Sequence, residues 1–192
     1  MQIKAQPIVG QWVTLEPLCH AHVLELIAAV CDGEYWKLTY ANVPHPDDMA
    51  AYVADALTTQ GISSMAYAVR LNSTRSVVGT TRYYNIDAKN RRAMIGYTWY
   101  ANAVRRTPVN TECKYLLLTS LFEDYQAIAA EFRTHIDNET SRNAIIRLGA
   151  QQDGILRNHM IMKDGSLRDT VVYSIIDREW ADVKQSLQQK LP

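Results

Sequence analysis

Two strand-like segments, each followed directly by a helix-like segment, constrain the fold of this 192-residue chain most strongly. The first is AMIGYTWY at 93–100, and the helical run after it ends near residue 125. The second is EFRTHI at 131–136, which is followed by a helix-like run at 139–148. Strands joined through a helical crossover lie parallel, and such crossovers are right-handed. The sequence therefore predicts one parallel strand pair, 93–100 with 131–136.

The remaining segments predict a mostly antiparallel sheet. Alternating or β-rich runs favour strands, and apolar residues at helical spacing favour helices. Lys163-Asp164-Gly165 lies between the last two strands and is typical of a hairpin. The element order, β-α-α-β-β-β-α-β-α-β-β-α, predicts a single α+β domain over residues 1–192, with six to seven strands and helices on both faces. The other predicted strands are 12–18, 65–71, 76–86, 154–162 and 167–176, and the other predicted helices are 20–30, 47–60 and 177–191.

Composition narrows the class of protein. Lys and Arg together number 20, as do Asp and Glu, so the formal net charge is zero. Nucleic-acid binders are usually basic, so this class, including a single-stranded RNA binder that uses tyrosines, is disfavoured. No apolar run approaches the ~20 residues of a membrane span, and the N-terminus lacks a signal-peptide pattern. The cysteines and histidines lack the spacings of disulfide frameworks and metal sites, so we expect no metal and a cytoplasmic location.

The segment VRRTPVNTE at 104–112 has the features of a helix start that could bind an anion. Thr107 followed by Pro108 is typical of an N-cap and a first helical residue. The unpaired N–H groups of a helix start and its positive dipole end attract phosphate. A helix start without any ligand is the alternative. The predicted parallel pair would bring a second helix start to the same edge of the sheet, which favours a ligand with several phosphates.

Three segments of the chain resemble the GNAT acetyltransferase superfamily, in particular its RimJ/RimL-like branch. They are IGYTWYANAVRRTPVNTECKYLLL, RTHIDNETSRNAIIRLGA and LRDTVVYSIIDREW. The resemblance covers essentially the whole chain and is strongest from about residue 93 to residue 180. It implies a GNAT-like fold and direct transfer of the acetyl group of acetyl-CoA to a primary amine in a ternary complex. The amine would be a protein N-terminus or a small molecule.

The resemblance also implies where acetyl-CoA would bind. Its pantetheine arm would lie between the strand around Tyr97, Thr98 and Trp99 and the strand 131–136, with backbone N–H groups of the first strand holding the thioester carbonyl. Asn138 would bind this arm, although N-capping of helix 139–148 explains the same residue. Ser141 would protonate the departing thiolate. The pyrophosphate would contact Arg105, Arg106, Thr107, Val109, Asn110 and Thr111, and Arg142 would add positive charge.

The predicted phosphate loop departs from the superfamily pattern Gln/Arg-x-x-Gly-x-Gly/Ala. Pro108 and Asn110 stand at the glycine positions. Glycine matters where φ is positive or where the backbone touches a ligand, and proline lacks an N–H group. Side-chain donors of Arg106 and Thr107 are expected to compensate. The missing glycines leave an alternative open, a CoA-binding module that has lost catalysis and has a regulatory or scaffolding role.

The general base is less clearly indicated than the cofactor site. Asp153 aligns with a carboxylate that is common in the branch, and a turn residue before Gly154 is the alternative interpretation. Met94 stands where relatives often carry Glu before Ile-Gly-Tyr.

Aromatic residues predict the acceptor pocket. Trp36, Tyr40, Tyr83 and Tyr84 could line a mixed polar and aromatic wall for an amine, with burial in the core as the alternative for each. The sequence does not identify the acceptor. Relatives commonly form homodimers, and no feature of this sequence indicates dimerisation.

Overall fold

All eight strands of the structure, a computed structural model that describes residues 1–162 and 164–192, belong to one mixed sheet. The strands are β1 (Ile8–Val9), β2 (Val13–Pro17), β3 (Met65–Leu71), β4 (Val77–Asp87), β5 (Arg92–Tyr100), β6 (Ala129–His135), β7 (Gln151–Ile161) and β8 (Leu167–Ile176). Their order in the sheet is β1-β2-β3-β4-β5-β6-β8-β7. The helices are α1 (Val23–Cys31), α2 (Met49–Thr58), α3 (Val109–Thr119), α4 (Glu139–Leu148) and α5 (Trp180–Gln189). The predicted α+β class is confirmed; β1 is one strand more than predicted, because two residues carry no periodicity.

The parallel pair predicted from the sequence is formed by β5 and β6. Pairing runs only from Arg92 beside Ala129 to Met94 beside Glu131, although both strands continue beyond this point. The two strands therefore separate toward their carboxyl ends. α3 follows β5 and α4 follows β6, so both helices start at this same edge of the sheet.

The helices divide between the two faces of the sheet. Tyr83 of β4 points to one face, where its hydroxyl donates to Leu117 O of α3 at 2.5 Å. Thr80 of the same strand points to the other face, where its hydroxyl lies 3.0 Å from the hydroxyl of Tyr52 on α2. Contacts place α5 beside both α3 and α4, and α1 beside α2. We call these surfaces the α3–α5 face and the α1–α2 face.

Two predicted helix ends are confirmed to within one residue. α3 begins at Val109, directly after Pro108, and Thr107 Oγ1 accepts a 3.4 Å hydrogen bond from Val109 N. Gly149 ends α4 with φ of 103°, a left-handed conformation that glycine adopts without steric cost.

A buried carboxylate fixes the first turn of α3 against the N-terminal part of the chain. Glu112 is 3% exposed and accepts hydrogen bonds from the N–H groups of Gln11, Trp12 and Val13 at 2.6, 2.8 and 2.8 Å. A Cβ on Gly10 would lie 2.6 Å from Glu112 Cδ, so glycine permits this close approach. The clamp holds the start of α3 in a defined position relative to β2.

The final two strands form the predicted hairpin at the edge of the sheet. β7 begins at Gln151, three residues earlier than expected from the sequence. Lys163 of the predicted hairpin turn lies outside the described residues.

Candidate functional site

The separation of β5 from β6 leaves one edge of β5 without a strand partner. On the other edge, Ala101 N donates to Val78 O at 2.8 Å in continuation of the β4–β5 pairing. Successive N–H groups of an extended strand alternate in direction, so the Tyr100 N–H points into the opening. This backbone donor lies within the segment that was predicted to hold a thioester carbonyl.

A bulge in β5 borders the opening. Gly96 pairs with Arg82 and Trp99 pairs with Thr80, so the β5 side has one extra residue between these pairs. Tyr97 lies within this bulge at φ of 50°, which is uncommon for a residue other than glycine. Thr80 Oγ1 holds the conformation by donating to Tyr97 O at 3.0 Å.

A buried amine supports the bulged strand from the α3–α5 face. Lys114 is 6% exposed, and its Nζ donates to Thr98 Oγ1 at 2.6 Å and to Thr81 Oγ1 at 3.2 Å. The two threonine hydroxyls are 2.9 Å apart. Burial lowers the pKa of Lys114 to about 8, because the charged form loses its hydration.

The start of α3 keeps free backbone donors despite the missing glycines. Pro108 has φ of −60°, a value that proline prefers, so a glycine is not required there. The positive φ of the loop lies instead at Arg106, at 60°. The N–H groups of Asn110 and Thr111 in the first turn find no backbone acceptor within the described chain, as is usual at a helix start. These donors lie at the N-terminal end of α3, and the N-terminal end of a helix attracts anions.

Thr107 and Val109, which were also predicted to bind phosphate, take part in the helix cap. The Thr107 hydroxyl donates to Val104 O at 2.6 Å while it accepts the weak bond from Val109 N. The Val109 side chain is buried at 3% exposure, so only its backbone could reach a ligand.

The three predicted arginines differ in their engagement with the protein. The Arg105 guanidinium lies 4.6 Å from the centre of the Tyr35 ring and donates to the Tyr35 hydroxyl. Arg142 donates to Ile136 O at 3.0 Å. Arg106 is exposed and makes no hydrogen bond or ion pair with any other described residue. Of the three, Arg106 has its whole guanidinium free of contacts with the described residues, whereas Arg105 and Arg142 each keep part of theirs free.

The start of α4 lies across the opening from β5. Asn138 Oδ1 accepts from Ser141 N at 3.0 Å, so the capping interpretation of Asn138 is correct for this oxygen. Its amide nitrogen makes no hydrogen bond within the described residues and can still donate to a ligand. The hydroxyl of Ser141, which is half-buried, also makes no hydrogen bond within the described residues.

Asp153, the candidate base, lies in β7, so its alternative interpretation as a turn residue is wrong. Its Oδ1 accepts from Ser174 Oγ at 3.0 Å, and Ser174 pairs with Glu131. Glu131 precedes His135, at the end of β6, by four residues, or about 13 Å of strand. The structure therefore does not bring Asp153 together with Ser141, which lies beyond the end of β6.

Sequence reasoning missed a buried carboxylate, Glu131. It is 5% exposed, lies beside Met94 in the parallel pair, and accepts hydrogen bonds of 2.6 Å from both Arg92 and Arg133. The carboxylate absent at position 94 is therefore present on the adjacent strand. The register of a parallel pair is not legible in the sequence, so no signal indicated this residue.

The predicted acceptor tyrosines of β4 lie on opposite faces of the sheet. Tyr83 is fully buried against α3, so its assignment to the acceptor pocket is wrong, because adjacent residues of a strand point in opposite directions. Tyr84 lies on the α1–α2 face, with its ring edge-to-face against Tyr97 at 5.1 Å. Burial raises the pKa of Tyr84 to about 12, so its hydroxyl stays protonated at neutral pH.

The other two predicted aromatics lie in the segment between α1 and α2. Tyr40 lies 6.3 Å from the His135 ring, which brings this segment over the carboxyl end of β6. Trp36 packs edge-on against His45 at 5.7 Å and against the hydrophobic core. Tyr40 thus borders the predicted acceptor side, and Trp36 supports the same segment from the core.

A cavity of about 210 Å³ opens on the α1–α2 face beside the bulge. Its walls include Arg82, Tyr84 and Tyr97 from the sheet, and Asp55 and Thr58 from α2. The sequence alone gives no indication that Arg82 lines a cavity.

The described residues contain no group of three or more His, Cys, Asp or Glu side chains placed to hold a metal ion. Within the same part of the chain, no helix is long and apolar enough to cross a membrane.

Comparison with known proteins identifies the family. Residues 13–151 match the family model of the Acetyltransferase (GNAT) domain. The chain is 31% identical over 109 residues to “Putative ribosomal N-acetyltransferase YdaF” of Bacillus subtilis, over 57% of this chain and 58% of that protein, so it spans less than two thirds of that relative. The crystal structure of a GCN5-related N-acetyltransferase from Brucella melitensis has a TM-score of 0.87 and 27% identity, and the match covers 98% of this chain and 86% of that chain.

A more distant structure shows the same fold. It is RimL, a ribosomal L7/L12 alpha-N-protein acetyltransferase in complex with coenzyme A, with a TM-score of 0.75 and 18% identity over 90% of this chain and 99% of that chain. The family match over most of the chain and the eight-stranded sheet, opened between β5 and β6, agree: the chain belongs to the GNAT acetyltransferase family.

Proposed function

We propose that this protein is an N-acetyltransferase that transfers the acetyl group of acetyl-CoA directly to a primary amine in a ternary complex. The observation that carries the proposal is the opening between β5 and β6, with the start of α3 at its edge. It offers a free strand edge for an amide-containing arm and free helix N–H groups for a pyrophosphate. The family membership and the coenzyme A complex of RimL support the same assignment.

The chain's own groups fit the two ends of acetyl-CoA. Arg106 and the N–H groups of Asn110 and Thr111 would hold the pyrophosphate at the positive end of α3. The Tyr100 N–H would donate to the thioester oxygen, where negative charge develops during acyl transfer. Asn138 would donate its amide N–H to the arm from the opposite side of the opening.

The proposed reaction needs proton movements besides acyl transfer. The amine nitrogen forms a bond to the thioester carbonyl carbon, the C–S bond breaks, and the thiolate takes a proton from the Ser141 hydroxyl, which regains a proton from water. The neutral amine loses one proton as it becomes an amide, and an acceptor that arrives as ammonium has first lost another proton to water. An α-amino group has a pKa of about 7.7–8.0, so a useful fraction is neutral near pH 7.5 without a base in contact. Water, or an ordered water chain to Asp153, would take the proton that the neutral amine loses.

The acceptor would approach from the α1–α2 face. Tyr84, Tyr97 and Tyr40 lie on this side of the sheet, opposite the buried face that α3 covers. A protein N-terminus or a small-molecule amine fits this arrangement. The hydroxyl of Tyr84, which stays protonated, could orient a carbonyl or amine of the acceptor.

The experiment is a thiol-release assay with acetyl-CoA and a panel of peptides and small amines, followed by mass spectrometry of the acceptors. We expect stoichiometric thiol release and a mass gain of one acetyl group on at least one acceptor. Binding of CoA without turnover of any amine would instead favour the CoA-binding module. Ser141→Ala serves as the catalytic control.

A further inference from the structure

Arg82 is a buried cation without an acidic partner. The residue is 5% exposed, and its Nε and Nη2 atoms have no hydrogen-bond acceptor among the described residues. No carboxylate of the described chain lies within ion-pairing distance of it. Buried charges in proteins are normally paired, because leaving one unpaired is costly. Arg82 therefore has the features of a ligand-binding group more than those of a structural one.

Two aromatic rings hold the guanidinium in place. Its central carbon lies 4.1 Å from the centre of the Tyr97 ring and 5.7 Å from that of Tyr52. Cation–π contacts of this kind orient the group and leave its N–H donors unused. Nε and Nη2 are therefore held in a fixed direction, buried and without an acceptor among the described residues.

The cavity of about 210 Å³ adjoins this group, because Arg82 forms part of its wall. Neighbouring atoms cover Nε and Nη2 themselves, so a ligand in the cavity would reach them by displacing part of that cover. Whole ligand pockets are usually about 300–1,000 Å³, so this cavity suits one small group of a larger ligand. Nε and Nη2 lie on one edge of the guanidinium and form the fork that binds both oxygens of a carboxylate. A planar two-oxygen anion matches this edge.

The cavity adjoins the predicted site of acetyl transfer. Arg82 pairs with Gly96 in β5, and Tyr97, which covers the guanidinium, begins the bulge that borders the opening. Tyr84, in the same wall, lies on the α1–α2 face from which we expect the acceptor. A group bound to Arg82 would thus belong to the acceptor and lie beside the strand that holds the thioester.

Acidic groups around the cavity do not neutralise Arg82. Glu131 on the same face is engaged by Arg92 and Arg133. Asp55 is exposed in the cavity wall and forms no ion pair within the described residues. Its carboxylate would weaken the binding of an anion, which makes Asp55→Asn an informative variant.

We propose that the amine acceptor carries a carboxylate that binds in this cavity through the Nε and Nη2 atoms of Arg82. The carboxylate belongs to an acidic side chain of a peptide or to a small amino acid. This proposal rests on the N-acetyltransferase function and specifies its substrate class.

The test uses acceptor pairs that differ in one carboxylate and not in the basicity of the amine. Ser-Glu-Ala-amide is compared with Ser-Gln-Ala-amide, and 6-aminohexanoate with 6-aminohexanamide. The peptide pair and the small-molecule pair distinguish the two sources of the carboxylate. We expect kcat/KM at saturating acetyl-CoA to be at least roughly tenfold higher for the carboxylate in one pair, as a bidentate charged contact implies.

Three variants assign the preference to Arg82. Arg82→Met should abolish the preference for the carboxylate and leave the KM for acetyl-CoA unchanged. Arg82→Lys keeps the charge but loses the two-donor edge, so it should reduce the preference. Asp55→Asn should increase the preference. The Arg82→Met variant should melt at the same temperature as the wild type or higher, since it removes a buried unpaired charge. A preference that is absent from the wild type, or that survives in Arg82→Met, overturns the proposal. So does a preference for phosphoserine over glutamate in the peptide.

A binding measurement separates this proposal from the proposed function. Calorimetric titration of the CoA-saturated protein with each pair should give tighter binding of the carboxylate to the wild type and equal binding to Arg82→Met. If the wild type binds the carboxylate member more tightly but acetylates neither member, the result would support the carboxylate site and reject the acetyltransferase function. If both members of each pair are acetylated at equal rates, the result would support the acetyltransferase function and reject the carboxylate site.

Discussion

Lys114 Nζ donates a hydrogen bond to Thr98 Oγ1 at 2.6 Å, so an amine buried on α3 supports the strand that borders the opening between β5 and β6. Its other acceptor is also a hydroxyl, Thr81 Oγ1, and no carboxylate of the described residues pairs with it. Burial therefore dominates and lowers its pKa from 10.5 to about 8. The site is thus coupled to a group that titrates close to physiological pH.

This coupling predicts a pH dependence of stability. The unfolded chain binds more protons at Lys114 than the folded chain between pH 8 and 10.5, so the free energy of unfolding should rise with pH over that window. We expect the rise to be roughly 1–3 kcal/mol in the difference between wild type and Lys114→Met, measured by urea denaturation. Burial also raises the pKa of the Cys113 thiol to about 12, which lowers stability above about pH 9. The difference between the two proteins removes the part of this contribution that does not depend on the charge of Lys114, and the comparison is therefore read below pH 9.

The Lys114→Met variant should be at least as stable as the wild type at pH 7, because it removes a buried charge. A difference between the two proteins that is constant from pH 7 to about 9 would show that Lys114 has its ordinary pKa.

The Glu112 clamp predicts a large effect on stability. Glu112→Ala removes the acceptor of three backbone N–H groups, and we expect a loss of about 3 kcal/mol in the free energy of unfolding. Glu112→Gln keeps one acceptor oxygen and should lose less. Equal stability of all three proteins in urea denaturation would contradict the clamp.

Tyr83 and Tyr84 provide a matched pair of substitutions. Tyr83→Phe should lower the free energy of unfolding by about 1 kcal/mol, because it removes the buried hydrogen bond to Leu117 O, and should leave acceptor kinetics unchanged. Tyr84→Phe should change stability by about 0.5 kcal/mol or less and raise the KM for the acceptor. Steady-state kinetics and melting curves measure both. If Tyr83→Phe raised the KM for the acceptor and Tyr84→Phe lowered the free energy of unfolding, the assignment of the two residues to the two faces would be wrong.

The proposed proton donor predicts a selective loss of turnover. Ser141→Ala should lower kcat about 100-fold or more at saturating substrates and leave the affinity for CoA nearly unchanged. The N-cap of α4 uses Ser141 N and not its hydroxyl, so the helix start should remain intact. Ser141→Thr, which keeps a hydroxyl, should retain more activity than Ser141→Ala. An unchanged kcat in Ser141→Ala would dismiss the role.

Local patterns predicted most of the fold but little of the site. The parallel pair, the Thr107-Pro108 helix start and the Gly149 end follow from crossover rules and capping chemistry, which act over a few residues. Tyr83 was misplaced because choosing the inward face of β4 requires knowing which helix covers it. Arg82 is evident only in three dimensions, because its lack of a partner depends on distant residues.

The alternative interpretation of Asp153 as a turn residue is wrong for a related reason. Its Asp-Gly pair is typical of a turn, yet pairing with β8 draws the residue into a strand, where Ser174 binds it. Tertiary pairing thus overrode the local preference. The absent loop glycines, in contrast, have a simple explanation, since the positive φ lies at Arg106 and not at Pro108.

The central claim is that the start of α3, at the edge of the β5–β6 opening, binds the pyrophosphate of acetyl-CoA. Calorimetric titration with CoA of wild type, Arg106→Glu and Arg178→Glu tests it most directly. Arg178 is exposed after β8, at the opposite end of the sheet, so its variant makes the same change of charge elsewhere. We predict that Arg106→Glu weakens CoA binding roughly tenfold or more while Arg178→Glu binds like the wild type. Equal affinities of all three proteins, or no binding of CoA to any of them, would contradict the claim.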